Sequence, residues 1–299
     1  MKPLLKWAGG KSWALKSYAH MFPDPADIDT YFEPFLGSAA VATRYIGKTT
    51  CVLSDANARL IQMYEGVRDN HASVIRRLQD LTDWRTRPDG MFEANPEVFE
   101  RVRKAFNAPE PSTIERAAQF IYLNKTDFNG LYRENKHGEF NAPIGKFKTA
   151  PCVCDEENII AWSRAMNNQG TAFYNIDFER LFSFAKPGTF FFLDPPYVPV
   201  SDTADFTSYT AGGFGSEDQA RLVRGLSQLD RRGAKFLLTN AAEALPLYEG
   251  WQVTIAPVSR SINSKGAKRG KVDEILVTNY PVWNVGSHVS DSSLKENQA

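Results

Sequence analysis

Four consecutive residues, Asp194-Pro195-Pro196-Tyr197, combine a carboxylate, two rigid backbone positions and an aromatic ring. The apolar run before them, Phe190-Phe191-Phe192-Leu193, reads as a buried strand, so the carboxylate stands at a strand end. That combination suits methylation of an exocyclic amine on a flat ring. Such an amine is a poor nucleophile because its lone pair is delocalised into the ring. The Asp194 carboxylate and the Pro195 carbonyl can each accept one of its two hydrogens, which favours a pyramidal nitrogen and aims the lone pair at a methyl donor. Proline fixes its own φ and restricts the residue before it, so the carbonyl direction is set in advance. Tyr197 can stack on the ring. The same tetrapeptide also reads as a strand end, a Pro-Pro turn and a core tyrosine, and only the rest of the chain separates the two.

Two more acids stand at comparable places. Asp55 follows a short strand and lies about 20 residues beyond the turn Phe35-Leu36-Gly37-Ser38-Ala39, a spacing suited to ribose hydroxyls. Gly37 allows close backbone approach, although Ala39 occupies the place of a second glycine. Asp177 follows the strand Phe173-Tyr174-Asn175-Ile176, where it can accept from an adenine amino group while Phe178 packs on the ring. Lys6-Trp7-Ala8-Gly9-Gly10-Lys11 brings a second Gly pair flanked by residues able to cover a ligand. Gly10-Lys11-Ser12 ends like a phosphate-binding P-loop, but position 5 is Leu and no strand has room to precede it, so an NTPase is rejected.

These acids need a sheet to bring them together. Strands are expected at residues 28–36, 50–53, 171–176, 189–193, 234–239, 251–257 and 274–280, with helices at 38–46 and 216–229. Between residues 58 and 150 helical patterns dominate, at 67–81, 96–106 and 112–123, followed by a polar, aromatic and basic stretch at 124–148. The expected architecture is an α/β doubly wound sheet with an inserted, mainly helical domain. Residues 1–57 and 150–283 would form the first, 58–149 the second, and 284–299 a disordered tail. Asp55, Asp177 and Asp194 then share the sheet edge where open α/β folds bind ligands.

Composition narrows the partners. A formal net charge of zero over 299 residues excludes a globally basic protein, so any nucleic-acid surface must be a local patch. No apolar run of about 18 residues marks a membrane span, and the N-terminus lacks a signal-peptide core; a cytoplasmic protein is expected. Three cysteines argue against a disulfide framework, and Cys152-Val153-Cys154 has the wrong spacing for a zinc pair; no metal is expected.

Taken in order, Lys6 to Lys11, Glu33-Pro34-Phe35-Leu36-Gly37, Ser54-Asp55 and Asp194 to Tyr197 resemble the Dam-type adenine-N6 DNA methyltransferases, class D12, of the α-ordered group. The likeness continues through Tyr122-Leu123-Asn124, Phe128-Asn129-Gly130-Leu131-Tyr132-Arg133, Gly138 to Asn141 and Pro143-Ile144-Gly145, which look like the family's recognition hairpin, and through Arg260 to Ser264 and Lys271 to Glu274. The resemblance implies a Rossmann-like S-adenosylmethionine-dependent sheet and S-adenosylhomocysteine as product. It places Trp7, Lys11, Phe35, Gly37, Asp55, Asp177, Phe178 and Asp194 around the cofactor. It implies duplex DNA as partner, GATC as target and a monomeric or weakly associating enzyme. Arg133 would read a guanine, Phe128 would wedge beside the flipped base, and Lys6 would touch another base edge. Asn124, Asn129, Leu131, Pro143 and Phe147 would share that face, and Arg260, Asn263, Lys265, Lys268 and Arg269 would clamp phosphates. A homologue that binds DNA without catalysis, and an amino-methyltransferase acting on RNA or protein, are the competing readings.

Overall fold

A computed structural model describes residues 1–109, 111–197, 213–259 and 271–282. The chain enters its main sheet through β1 (Thr30–Glu33) and β2 (Thr50–Ser54). A separate hairpin, β3 (Trp84–Thr86) with β4 (Phe92–Ala94), follows. Then β5 (Thr171–Tyr174), β6 (Thr189–Leu193), β7 (Lys235–Ala241), β8 (Gln252–Ser259) and β9 (Lys271–Thr278) complete the sheet in the order β5-β2-β1-β6-β7-β9-β8. The pairs from β5 to β7 are parallel, and β9 runs antiparallel to both its neighbours. Strand order reverses at the β1–β6 boundary, the point where such sheets open a crevice.

The apolar run of β6 is continuous because both faces are covered. Phe190 and Phe192 pack into one layer of the core, while Phe191 and Leu193 pack into the other. Phe32 of β1 stacks on Phe191 at 4.4 Å between centroids, so the strands that carry the crevice share a rigid aromatic floor. Truncating such a ring costs about 3–5 kcal/mol.

The helices are α1 (Ser12–Ser17), α2 (Ala58–Leu81), α3 (Pro96–Asn107), α4 (Thr113–Thr126), α5 (Glu156–Asn168), α6 (Phe178–Leu181) and α7 (Ser216–Arg231). Helices α2 to α4 and the β3–β4 hairpin lie between β2 and β5 in the chain. Side-chain caps start several of them: Asn57 accepts from Leu60 N, Asn95 from Glu97 N beside Pro96, and Ser112 from Glu115 N. Each such cap stabilises by about 1 kcal/mol.

Two expectations need correction. Residues 38–46 are not an α-helix but turns around a 3-10 segment, Ala42–Arg44. Ala39 takes a left-handed φ of 54°, and the Thr43 hydroxyl donates to Ala40 O at 2.7 Å, competing with regular helix bonding. Tyr122-Leu123-Asn124, expected within a hairpin, close α4 instead; the hairpin runs later, with Asn141 N donating to Arg133 O. Helix α5, started by the Asp155 cap and Glu156-Glu157, and the β3–β4 hairpin were not anticipated. Among the described residues no helix is long and apolar enough to cross a membrane, and no group of three His, Cys, Asp or Glu is placed to hold a metal.

Candidate active site

Parallel strands put their C-terminal ends on one edge, and the acids follow those ends. Asp194 leaves β6 with Oδ1 receiving two donors: Lys11 Nζ at 2.9 Å and the Thr239 hydroxyl, from β7, at 2.8 Å. Lys11 is only 3% exposed. Its ammonium also donates to Gly9 O at 2.7 Å and lies 3.8 Å from Glu274 on β9. The Tyr197 hydroxyl donates to Glu274 Oε2 at 2.7 Å, and the Lys11 ammonium stands 4.9 Å from the Tyr197 ring centroid. Burial first, then Asp194 and Glu274, push the Tyr197 hydroxyl well above its ordinary value, so the ring stays neutral. Gln219 of α7 donates to Pro196 O at 3.1 Å, fixing the backbone of the tetrapeptide from behind.

The turn after β1 is equally constrained. Gly37 has φ 48°, and a Cβ there would stand 2.8 Å from the Trp7 ring, so only glycine fits. Gly37 N donates to Asp55 Oδ2 at 3.0 Å, Asn57 N donates to Asp55 Oδ1 at 2.9 Å, and the Tyr64 hydroxyl donates to Gly37 O at 3.1 Å. Burial raises the Asp55 carboxyl while those two amides pull it down. Glu33, at the end of β1, is buried and receives the Tyr31 hydroxyl at 2.6 Å. Burial, with Asp194 and Asp55 nearby, holds its carboxyl well above the usual range. One edge thus gathers four acids, with Asp194 and Glu274 sharing Lys11, Asp55 held by two backbone amides and Glu33 by the Tyr31 hydroxyl.

The remaining expected cofactor residues divide. Asp177 caps α6 through Glu179 N and pairs with Arg221, which also holds Glu179 and Asp218. Phe35, Phe178 and Phe214 form a cluster, with Phe35 and Phe178 at 5.2 Å and Phe214 against both. The first two rings touch and leave no slot between them. Trp7 does not lie over open space: it packs on Gly37 and stacks toward Tyr132 and Phe120, joining the sheet edge to the helical insertion.

The expected DNA residues form a second group. Asn124 is buried, and its amide is used internally: Nδ2 donates to Lys6 O and Gly130 O, and Oδ1 accepts from Lys6 N. It frames the face and does not present itself. Phe128 is 50% exposed, and Lys6, Asn129, Arg133 and Pro143 are exposed beside it, with Leu131 half-buried. The Lys6 ammonium stands over Phe147 at 5.8 Å. Arg133 Nε and Nη2 donate to the side chain and backbone oxygens of Asn141 at 2.7 and 2.9 Å, which orients the guanidinium. Arg260, Asn263, Lys265, Lys268 and Arg269 lie outside the described residues.

Lys11 as partner of Asp194, and Thr239 and Gln219, had no role in the sequence reading, where Glu33, Asn141 and Glu274 stood only as parts of motifs. Those motifs, Glu33-Pro34-Phe35-Leu36-Gly37, Gly138 to Asn141 and Lys271-Val272-Asp273-Glu274, were the available signals.

Comparison with known proteins follows the same outline. The D12 class N6 adenine-specific DNA methyltransferase pattern matches residues 7–269. The chain is 37% identical to the type II methyltransferase M.MjaIII of Methanocaldococcus jannaschii, over 94% of this chain and 99% of that protein. It is 34% identical to the type II methyltransferase M1.LlaDCHI of Lactococcus lactis subsp. cremoris, over 94% and 96%. It is 32% identical to the DNA adenine methylase of Escherichia coli K12, again over 94% and 96%.

Proposed function

The chain belongs to the D12 class of N6 adenine-specific DNA methyltransferases, and we propose that it methylates N6 of a flipped-out adenine within GATC, using S-adenosylmethionine. The observation that carries this reading is the Asp194 carboxylate, held at a strand end with both donors on Oδ1. No described residue donates to Oδ2, which serves as the acceptor for the target amine.

The residues of the sheet edge suit the cofactor. Asp194 and Glu274 share one buried lysine, an acid excess that favours a ligand carrying positive charge; Gly37 keeps the turn close to Trp7, and the half-buried Phe35 offers an apolar ring. When bound, S-adenosylmethionine supplies the electrophilic methyl group and leaves as S-adenosylhomocysteine. Asp55 binds ribose hydroxyls through its remaining lone pairs, and Asp177 takes the adenine amino group in competition with Arg221.

Adenine must leave the helical stack to be reached, at a cost of a few kcal/mol. Phe128 fills the gap, Arg133 reads a guanine with the edge that Asn141 leaves open, and Lys6 meets another base. Asp194 and the Pro195 carbonyl each accept one amine hydrogen. Asp194 takes the proton that leaves as the new N–C bond forms. Tyr197, with its hydroxyl tied to Glu274, stacks on the base. In this reading residues 58–149 carry target recognition, and the remainder of the folded chain carries catalysis. Relatives named as type II methyltransferases and as a DNA adenine methylase support DNA adenine methylation as the activity.

The test is to incubate the protein with labelled S-adenosylmethionine and unmethylated duplex DNA and then map modified bases. Label on the adenine of GATC is expected. Label on adenine in another site would remove the GATC assignment and keep the chemistry, and label on cytosine would remove the chemistry.

A further inference from the structure

The turn that presents Phe128 rests on a carboxyl group with no task in the reaction above. Asp127 follows α4, is 1% exposed, and neither of its oxygens makes a hydrogen bond of full geometry, although the Gly130 and Leu131 amides face it. It borders a small void lined by Phe106, Phe120, Leu123, Tyr132 and Phe140, with no room for a water molecule. The chain on either side is fixed: Asp127 N donates to Leu123 O at 2.8 Å, and Phe128 N donates to Pro143 O at 2.9 Å. The carboxyl therefore has no route to solvent while the turn keeps its place. Asn129 and Gly130, with φ of 63° and 66°, make the tight Asn-Gly reversal, closed by Leu131 N donating to Phe128 O at 3.3 Å. Asn124 ties Gly130 to Lys6, so turn and lysine move as one piece.

Burial pushes the Asp127 carboxyl up to about 8, opposed by the Gly130 and Leu131 amides and by Lys6. The charged and titratable groups around it are Lys6 from the N-terminal segment, Tyr132 bonded to Glu134, Arg59 of α2 and Arg116 of α4. The two arginines lie on the Phe106 ring, Arg59 is further paired with Glu134, and Lys6 is the one whose charge bears on Asp127.

We propose that Asp127 is a proton-controlled positioning residue for the recognition turn. Uncharged, it rests against the apolar void and leaves Phe128 and Lys6 presented to DNA. Charged, it must find donors, because a buried carboxylate without them is strongly unfavourable. The donors beside it are the Gly130 and Leu131 amides and the Lys6 ammonium, so ionisation draws the turn and Lys6 inward. DNA engaging Lys6 withdraws that cation from the carboxyl and brings its own negative field, both of which favour the uncharged form, and by reciprocity DNA binding takes up a proton. This inference rests on the reading of Phe128 and Lys6 as DNA contacts.

The test uses the full chain and a GATC duplex with 2-aminopurine at the target adenine, at fixed salt from pH 6.5 to 9.5. Fluorescence reports base flipping, and calorimetry in two buffers of different ionisation enthalpy reports proton uptake. Wild type is expected to lose about five- to tenfold in affinity as pH rises through 8, with the fluorescence gain falling in parallel. Asp127→Asn is expected to show a flat profile near the wild-type low-pH level and a smaller proton uptake. A flat wild-type profile, or an Asp127→Asn profile that matches a sloping wild type, overturns the proposal and leaves the DNA reading standing. Absence of any fluorescence gain in wild type at every pH overturns both. Should Asp127→Asn fail to fold, carbon-13 NMR of wild type decides: the Asp127 carboxyl and the Gly130 amide should titrate with one midpoint, and independent titrations overturn the proposal.

Discussion

Asp194 and Asp127 are both carboxylates at the end of a regular element, one after β6 and one after α4, and both border aromatic rings. Their surroundings differ in one respect. Asp194 is met by a buried ammonium and a hydroxyl, with Glu274 sharing the same lysine. Asp127 is faced only by the Gly130 and Leu131 amides, short of full bonding geometry, and by no charge at pairing distance among the described residues. A buried charge that is paired and hydrogen-bonded is tolerated, whereas one without partners is expelled or neutralised. Under the proposed function, the acid at the sheet edge serves as an acceptor, while the acid under the Phe128 turn responds to pH and to an approaching polyanion.

Removing the paired acid should have the largest effect. Asp194→Ala is expected to lower methyl transfer by on the order of 10²–10⁴-fold, since it deletes the group that orients and deprotonates the amine. DNA affinity should largely persist through phosphate contacts. Single-turnover rates beside binding isotherms check this. Near-normal turnover in a folded Asp194→Ala protein would mean that the Pro195 carbonyl suffices. Asp194→Asn, which keeps the shape and loses the charge, should fall between the two.

The unpaired acid should instead govern stability. A free Asp titrates near 4, and the folded Asp127 is raised to about 8. The folded state thus keeps a proton that the unfolded chain gives up. The stability this contributes is complete below about pH 4 and is lost as pH rises to about 8. Wild type should lose a few kcal/mol relative to Asp127→Asn between pH 5 and 9. Urea midpoints at pH 5, 7 and 9 test it, and parallel curves for the two proteins would show that the carboxyl finds partners in solution.

The same contrast explains what the sequence discloses. The apolar run ending in Asp194 is legible because a strand covered on both faces is apolar throughout, and its acid must then lie at the edge. The alternation of strands and helices likewise predicts a doubly wound α/β sheet, though not the order of its strands. Thr239 and Glu274 were not legible as partners: they come from β7 and β9, and only the sheet brings them to Asp194. Asp127 was hidden for the opposite reason. In Lys125-Thr126-Asp127-Phe128 it reads as an ordinary polar residue, and its burial depends on Phe106, Phe120 and Phe140 arriving from elsewhere. The helix expected at 38–46 failed on a single left-handed residue, which an apolar pattern does not report.

A smaller effect separates reading from holding on the recognition face. Arg133→Ala should cost about 1–3 kcal/mol of discrimination at one guanine and leave other positions of the site unchanged. Asn141→Ala keeps the guanidinium and removes its anchor, so it should relax the same position by less. Methylation rates on GATC and its single-base variants, at fixed salt, distinguish the two. Equal slowing on every duplex by Arg133→Ala would make Arg133 a phosphate contact.

The smallest expected effect compares the two regions through their backbones. Each contains one non-glycine residue in the left-handed region: Ala39 below the Gly37 turn, with φ 54°, and Asn129 in the recognition turn, with φ 63°. Asparagine tolerates that conformation, and alanine pays roughly 1–2 kcal/mol for it. Ala39 is fully buried and bonded on both sides, with its N–H on Leu36 O and its carbonyl taking Thr43 N, so it has no freedom to relax. Ala39→Gly should remove the strain while adding about 0.4–1 kcal/mol of unfolded-state entropy, for a net gain of a few tenths of a kcal/mol or more. Asn129→Gly should give no such gain, because there is little strain to relieve. Urea unfolding at unchanged m-value measures both. If Ala39→Gly destabilises, the methyl group is filling space beside the cofactor turn, and the cost of its backbone conformation is offset by packing that glycine lacks.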